Sequence, residues 1–395
     1  MKIAKEGFEL FDLTKLCDDK KNRDWGLILV HSKKYCTEDK RVLTPHKSKG
    51  FFPLSRLKKM KNKQKYRIIK NIDRGVVNNS CGVIVKLPRK LSINLCKIAG
   101  ALCADGHISR SKKLNKCGYI IELDDKDKNA VEKFGGWTFG EFGYRVKIAK
   151  YESNAWSINF GNKIIGRFLH KILGLQIGEK SAKVTIPKII KRAGKKYVRA
   201  FWLGVLTFDG GVDLSGAIEL LVRSKPMIKS FSQFAKSEGL SITTHNSPDK
   251  NGFWRIHISK PSEKDLKKWI KLFEKDSRAW KRVYYMLGEF DGKTTTEETA
   301  VKSLYELYPA HNVSKTSIIN VFYKIKELKR ATNNEIAFSL GIDSDTLRKY
   351  RNLLNKANII RVMEIKKVGS SGHKMIIEYN EDIQTWKIPR LILNG

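Results

Sequence analysis

The chain has 395 residues, 41% hydrophobic and 30% charged, and no uninterrupted apolar run approaches the roughly 18 to 20 residues that a membrane-spanning helix needs, which excludes a helical membrane protein. Its 78 Lys and Arg against 40 Asp and Glu give a net charge of +38, a self-repulsion that a polyanion relieves, so the partner to expect is nucleic acid. Composition alone does not separate a DNA-processing protein from a structural RNA-binding one.

The N-terminus, MKIAKEGFELFDLTKLCDD, interrupts its apolar pattern with acids and does not read as a secretory signal. Six cysteines fall within the first 117 residues with no C-x-x-C pair, the pattern of reduced thiols in a cytoplasmic protein. Residues 1–90 carry 24 basic and 9 acidic side chains, densest at RLKKMKNKQKYRIIK. We read 1–85 as a basic N-terminal module of unknown fold.

From residue 86 the periodicity becomes readable. A helix is expected over 92–105, stopped by Gly106, then strands HISRS and GYIIELDD, a helix KDKNAVEKFGGWTFGEFG, strands YRVKIAKY and AWSINF, and a helix over 162–174. The same order follows: a helix over 196–209, strands GVDLS and AIELLVRS, a helix PMIKSFSQFAKSEG, strands LSITTHNS and GFWRIHIS, and a helix SEKDLKKWIKLFEK. Helix, strand, strand, helix, strand, strand, helix thus occurs in 86–185 and again in 186–278. This predicts an α+β protein, with two related half-domains about a pseudo-twofold axis inside a monomer.

Alternation along the strands puts Arg145 and Lys147 on one face against Val146 and Ile148, and Arg255 and His257 on one face against Trp254, Ile256 and Ile258. Such a sheet is apolar within and basic without, as a duplex groove requires. Arg110, Lys112, Lys113, Arg223 and His245, in or beside these strands, join the candidate DNA contacts.

Residues 279–310 read as a connecting segment and 311–395 as a separate module. In TNNEIAFSLGIDSDTLRKYRNLLNKANII a short helix ends at Gly341 and Asp343 or Ser344 caps the next. Ile336, Ala337, Leu340, Ile342, Leu347 and Tyr350 hold core spacing, and IIRVMEIKKVGSSGHKMIIEYN reads as a hairpin. Together they predict a winged helix-turn-helix whose Thr346, Arg348, Lys349 and Arg351 face a major groove.

The chemistry is expected at two Asp-Gly ends. IAGALCADG closes on Asp105-Gly106, and 104 positions later WLGVLTFDG closes on Asp209-Gly210. An acid at the last turn of a helix lies at the end that already carries partial negative charge, so something positive should compensate it. With Gly100, Ala104 and Gly204 allowing the two helices to pack closely, Asp105 and Asp209 would converge and hold a hard divalent cation, Mg²⁺ or Mn²⁺. A metal at a basic, duplex-sized surface points to phosphodiester hydrolysis.

The two nonamers resemble the paired motifs of single-chain LAGLIDADG homing endonucleases, and the resemblance covers about residues 86 to 275. It implies a saddle that recognises a long double-stranded DNA site and cuts both strands, with Asp105 and Asp209 as the metal-binding acids. It also implies a basic residue at the end of the fourth strand of each half, for which Lys163 and Lys260 are the nearest matches. Cys103 and Thr207 replace the commoner acid inside the motif, and Phe208 stands where the family often has a small residue. The ends, Met1-Lys2 and Asn394-Gly395, lack the nucleophile and His-Asn ending of a self-splicing intein, so a free-standing protein is expected. A transcriptional regulator that binds without cutting, and an intron-RNA maturase, are the competing readings.

Overall fold

The computed structural model describes residues 10–17, 28–32, 51–77, 83–110, 118–151, 155–179, 182–213, 216–287, 296–308, 316–366 and 373–381. It is a mixture of helices and antiparallel sheet. The chain divides into two compact units, one of Met1–Gly210, Leu220–Ile256 and Leu272–Ser277, the other of Gly211–Glu219, His257–Lys271 and Arg278–Gly395. The division differs from the five segments read from the sequence, because the second repeat contributes residues to both units.

The N-terminal residues form a sheet that the sequence did not announce. Its strands are β1 (Ile28–Ser32), β2 (Phe51–Pro53), β3 (Ile72–Val77) and β4 (Val85–Lys86), in the order β2-β1-β3-β4 with every pair antiparallel. A 3₁₀ turn Leu54–Lys59 and helix α1 (Asn62–Ile69) lead from β2 to β3, and Val30, Phe52, Leu54, Leu57, Ile69 and Ile72 are wholly buried. This module is fastened to the first repeat. The Arg167 guanidinium donates to the Leu16 carbonyl at 2.8 Å, and the Phe11 and Phe168 rings meet edge to face at 5.3 Å.

The first repeat runs α2 (Ile93–Cys103), β5 (His107–Ser109), β6 (Ile120–Asp125), α3 (Lys128–Phe142), β7 (Ile148–Lys150), β8 (Trp156–Gly161) and α4 (Lys163–Arg167), which continues as a wider turn through Ile172. After α5 (Lys188–Arg192) come α6 (Lys195–Phe208), β9 (Gly210–Val212), β10 (Ile218–Val222), α7 (Lys225–Ser237), β11 (Thr243–Thr244), β12 (Trp254–Ile258) and α8 (Glu263–Trp269). The sheets are ordered β5-β6-β8-β7 and β9-β10-β12-β11, so both place their strands first, second, fourth, third. Side-chain caps fix the helix starts: Ser92 on α2, Asp127 on α3, Asn162 on α4, Ser224 on α7 and a Ser262–Asp265 capping box on α8.

Several elements are shorter than expected. YRVKIAKY pairs only from Ile148, opposite Ile158, so Arg145 and Lys147 lie on the approach to β7 and not within it. Of LSITTHNS only Thr243–Thr244 pairs, which leaves His245 beyond the strand, although its N–H still donates to the Arg255 carbonyl at 3.1 Å. Helix α8 stops at Trp269 and tightens into a 3₁₀ turn, and α2 ends at Cys103, before the predicted 105.

In the other unit, α9 (Arg278–Leu287) and α10 (Glu297–Leu307) precede α11 (Ile318–Leu328), β13 (Arg330–Thr332), α12 (Asn333–Leu340), α13 (Ser344–Lys356), β14 (Ile360–Lys366) and β15 (His373–Tyr379). The three strands are ordered β13-β15-β14 and pair antiparallel. Gly341 ends α12 in the left-handed conformation at φ 62°, and the Asp343 carboxylate accepts from the Thr346 N–H at 2.8 Å to start α13. Ile336, Ala337, Leu347 and Tyr350 are buried in one core with Tyr285, Leu304, Phe322 and Ile377. The loop GSSG of the expected hairpin lies outside the described residues.

Candidate active site and nucleic-acid interface

The two motif helices, α2 and α6, are buried over their C-terminal parts, while Ile93 on α2 and Lys195 and Lys196 on α6 are exposed at their starts. Leu95, Cys96, Ala99, Ala101, Trp202, Val205 and Leu206 are each at most 1% exposed. Ser92 starts α2 by accepting from the Leu95 N–H at 3.0 Å, and its hydroxyl donates to Glu141 on α3 at 2.5 Å.

Glu141 gives this junction a pH dependence. Burial pushes its carboxyl above the ordinary 4.5, outweighing the Ser92 hydrogen bond and the Lys86 charge, which both lower it. The folded chain therefore holds a proton that the unfolded chain releases. This contribution to stability is fully present below the ordinary carboxylate value and is lost as pH rises through the raised one. Glu141→Gln keeps an acceptor for Ser92 and removes the titration, so its melting temperature relative to wild type should climb over a pH series that starts below the ordinary 4.5 and rises through the raised value. A difference that stays flat across that range would contradict the assignment.

The helices touch through their backbones. A Cβ on Gly100 would lie 2.1 Å from the Phe201 carbonyl oxygen and 2.8 Å from the Val205 nitrogen; a Cβ on Gly204 would lie 2.2 Å from the Lys97 carbonyl oxygen. The contact is reciprocal, since Phe201 precedes Gly204 by three residues, as Lys97 precedes Gly100. Each glycine therefore lies against the backbone about one helical turn before the other glycine. Asp105 and Asp209 each follow their glycine by five residues.

Beyond the acids, Gly106 and Gly210 let the chain double back. The Gly106 N–H donates to the Ala101 carbonyl at 3.0 Å, and a Cβ on Gly210 would lie 2.3 Å from the Leu206 carbonyl oxygen. Neither helix has a basic residue in its last turn. Asp105 is exposed and Asp209 half-buried. Ala104, expected in the helix contact, instead caps α2 outside helical geometry (φ −77°, ψ −114°), its N–H still donating to Gly100. Helix α2 thus ends one residue before Ala104, and the close backbone approach is seen at Gly100 and Gly204. Phe208 is buried, and Thr207 turns its hydroxyl to the Leu203 carbonyl at 2.7 Å.

No family model matches the chain, and no curated protein matches it in sequence. Several solved structures resemble parts of it. Mesophilic variants of the homing endonuclease I-DmoI share 14% identity over 46% of this chain and 94% of their own, with a TM-score of 0.36. The homing endonuclease I-WcaI bound to its DNA recognition sequence shares 14% identity over 48% of this chain and 85% of its own, with a TM-score of 0.31. Full-length DUF199/WhiA from Thermatoga maritima shares 10% identity over 67% of this chain and 91% of its own, with a TM-score of 0.30.

The two lysines expected beside the acids occupy matching places, each two residues past the end of the fourth strand, β8 or β12. Their environments differ. Lys260 is exposed, whereas Lys163 is only 4% exposed at the first position of α4, where the preceding Asn162 accepts from the Ile164 and Ile165 N–H groups. A solvated Lys163 is thus not what the fold provides.

Among the sheet candidates, Arg145 is exposed over the Phe139 ring at 5.2 Å, Lys147 is exposed, and Arg223 is exposed over Phe253 at 5.0 Å. Arg110 is exposed, with its guanidinium donating to the Tyr119 hydroxyl at 3.2 Å. His245 is exposed, and Arg255 and His257 are half-buried on β12 opposite buried Ile256 and Ile258, as the alternation predicts. Lys112 and Lys113 lie outside the described residues.

On α13, Arg348 is exposed and paired with Asp345 at 3.1 Å, Lys349 is half-buried, and the Thr346 hydroxyl is turned back to Asp343 at 2.6 Å. Arg351 is a correction. It is 7% exposed, four residues after Leu347 and three before Leu354 on the inward face, and burial lowers its pKa. Helical spacing carried the signal: positions 347, 351 and 354 form one stripe.

Proposed function

We propose that the chain is a site-specific endonuclease of double-stranded DNA, acting as a monomer with internal pseudo-twofold symmetry. The observation that carries this reading is the reciprocal contact of Gly100 and Gly204, each followed five residues later by an acid at a helix end. In this reading the two repeats form a saddle of antiparallel strands along the duplex, with Arg145, Lys147, Arg223, Arg255 and His257 toward the grooves. The C-terminal order of helix, strand, two helices and two strands, with β15 between β13 and β14, supports a winged helix-turn-helix that lengthens the recognised site.

Asp105 and Asp209 suit a divalent cation such as Mg²⁺ or Mn²⁺. They are hard oxygen donors on residues that both reach solvent, and Mg²⁺ takes one or two carboxylates plus substrate phosphate and water. Among the described residues no group of three or more His, Cys, Asp and Glu is placed to hold a metal, so the substrate would complete the coordination. When bound, the ion supplies an activated water and neutralises charge on the phosphodiester. The chain's own residues do the rest: the glycine contact fixes the spacing of the acids, and the basic sheet residues hold the backbone in register.

Incubation with a library of duplexes in Mg²⁺ should yield one set of cut sites, while Ca²⁺ should support binding with no cutting. Binding without Mg²⁺-dependent cleavage of any bound site would favour the regulator reading instead.

A further inference from the structure

We infer that the N-terminal module is itself a duplex-binding ledge, gripping the phosphate backbone through lysines on the 3₁₀ turn Leu54–Lys59 and the start of α1. The inference deepens the DNA-binding reading and rests on it. Residues 54–70 hold eight Lys and Arg and no acid. Leu54, Leu57, Ile68 and Ile69 anchor the stretch in the core, and the opposite side exposes Lys58, Lys59, Lys61, Lys63 and Lys70.

Charge placement here runs against local stability. Lys61 stands at the position before α1 where an Asp or Ser would ordinarily cap, its side chain makes no cap, and no acid occupies the first turn. Lys61 and Lys63 thus sit at the end of the helix that already carries partial positive charge. Lys65 meets Asp12 at 3.7 Å, and like charges as close in the chain as Lys59, Lys61 and Lys63 repel one another, a cost that a polyanion lowers.

The chemistry favours nucleic acid over an anionic membrane. Surface-bound helices insert large apolar side chains, and none of the large exposed apolar residues among those described falls within 54–70. The ledge is also rigidly placed. Besides the Arg167 and Phe168 contacts, Gly75 of β3 packs against Leu87 and Ile164, a Cβ there reaching the Ile164 side chain at 3.4 Å. Lysines held on a packed module lose less freedom on binding than those on a loose arm.

The test is a quadruple variant, Lys58→Gln, Lys59→Gln, Lys61→Gln and Lys63→Gln, titrated against a mixed-sequence duplex of about 40 base pairs in Ca²⁺ over a salt series. Each lost phosphate contact should lower the slope of log affinity against log salt by about 0.9, so with four lost the variant's slope should fall by about 3.6 and its affinity about tenfold or more. The four-arginine counterpart should keep the wild-type slope, and unchanged melting of the glutamine variant separates lost contacts from lost folding. An unchanged slope in the glutamine variant overturns the ledge while leaving the endonuclease reading intact. A wild-type chain that binds no duplex overturns both. Loss of binding to phosphatidylserine vesicles with duplex binding unaltered overturns the ledge in favour of a membrane surface.

Discussion

Asp105→Asn and Asp209→Asn are each expected to reduce double-strand cleavage by about 1,000-fold or more, equivalent to about 4 kcal/mol of transition-state stabilisation, with duplex affinity in Ca²⁺ retained. The substitution is nearly isosteric, so it removes charge without opening a cavity. Melting measured alongside separates lost chemistry from lost folding, and taking a negative charge off a surface that meets a polyanion costs no attraction to it. Affinity for the polyanion should hold or rise slightly for the same reason. Inactivity with intact melting and binding would therefore mark a role in the reaction itself. Cleavage that survives in both variants would remove the acids from the site. Equal loss of cleavage and binding would instead mark them as structural.

The motif helices were legible because they obey local rules: Ser92 caps, apolar residues follow at helical spacing, and a glycine ends the run. The repeated element order was legible for the same reason. Strand lengths were not, since alternation persists where pairing stops; YRVKIAKY alternates from Tyr144, yet its ladder begins only at Ile148. The N-terminal sheet escaped because its pairings are non-local, with Val30 opposite Phe52 and also opposite Gly75, and short strands there are separated by long polar stretches. Lys163 and Arg351 show a third limit. Residue type argues for solvent; for Arg351 the helical stripe with Leu347 and Leu354 outweighs it, whereas for Lys163 only the three-dimensional packing reveals the burial. Ala104 shows a fourth: spacing of small residues does not reveal that the helix has already ended one residue earlier.

The glycine contact carries the second large expectation. Gly100→Ala and Gly204→Ala should each destabilise the chain by about 3 kcal/mol or more, because the added methyl would overlap backbone, not the movable end of a side chain. The clash is with carbonyl oxygens that belong to the partner helix, so relief requires the two helices to separate along their length, and every side chain packed beside them loses contact. Gly136→Ala on α3 is the matched control: nothing lies within 4 Å of its Cβ position, and the change should stabilise by about 0.5 to 1 kcal/mol through helix propensity alone. Thermal unfolding of the three variants separates a general effect of alanine from one of close approach. Separation should also move Asp105 against Asp209, so whatever Gly204→Ala protein remains folded should lose cleavage more steeply than binding. A Gly204→Ala chain that melts and cuts as wild type does would mean that the helices need not touch, and the spacing of the acids would then have no physical basis in this fold.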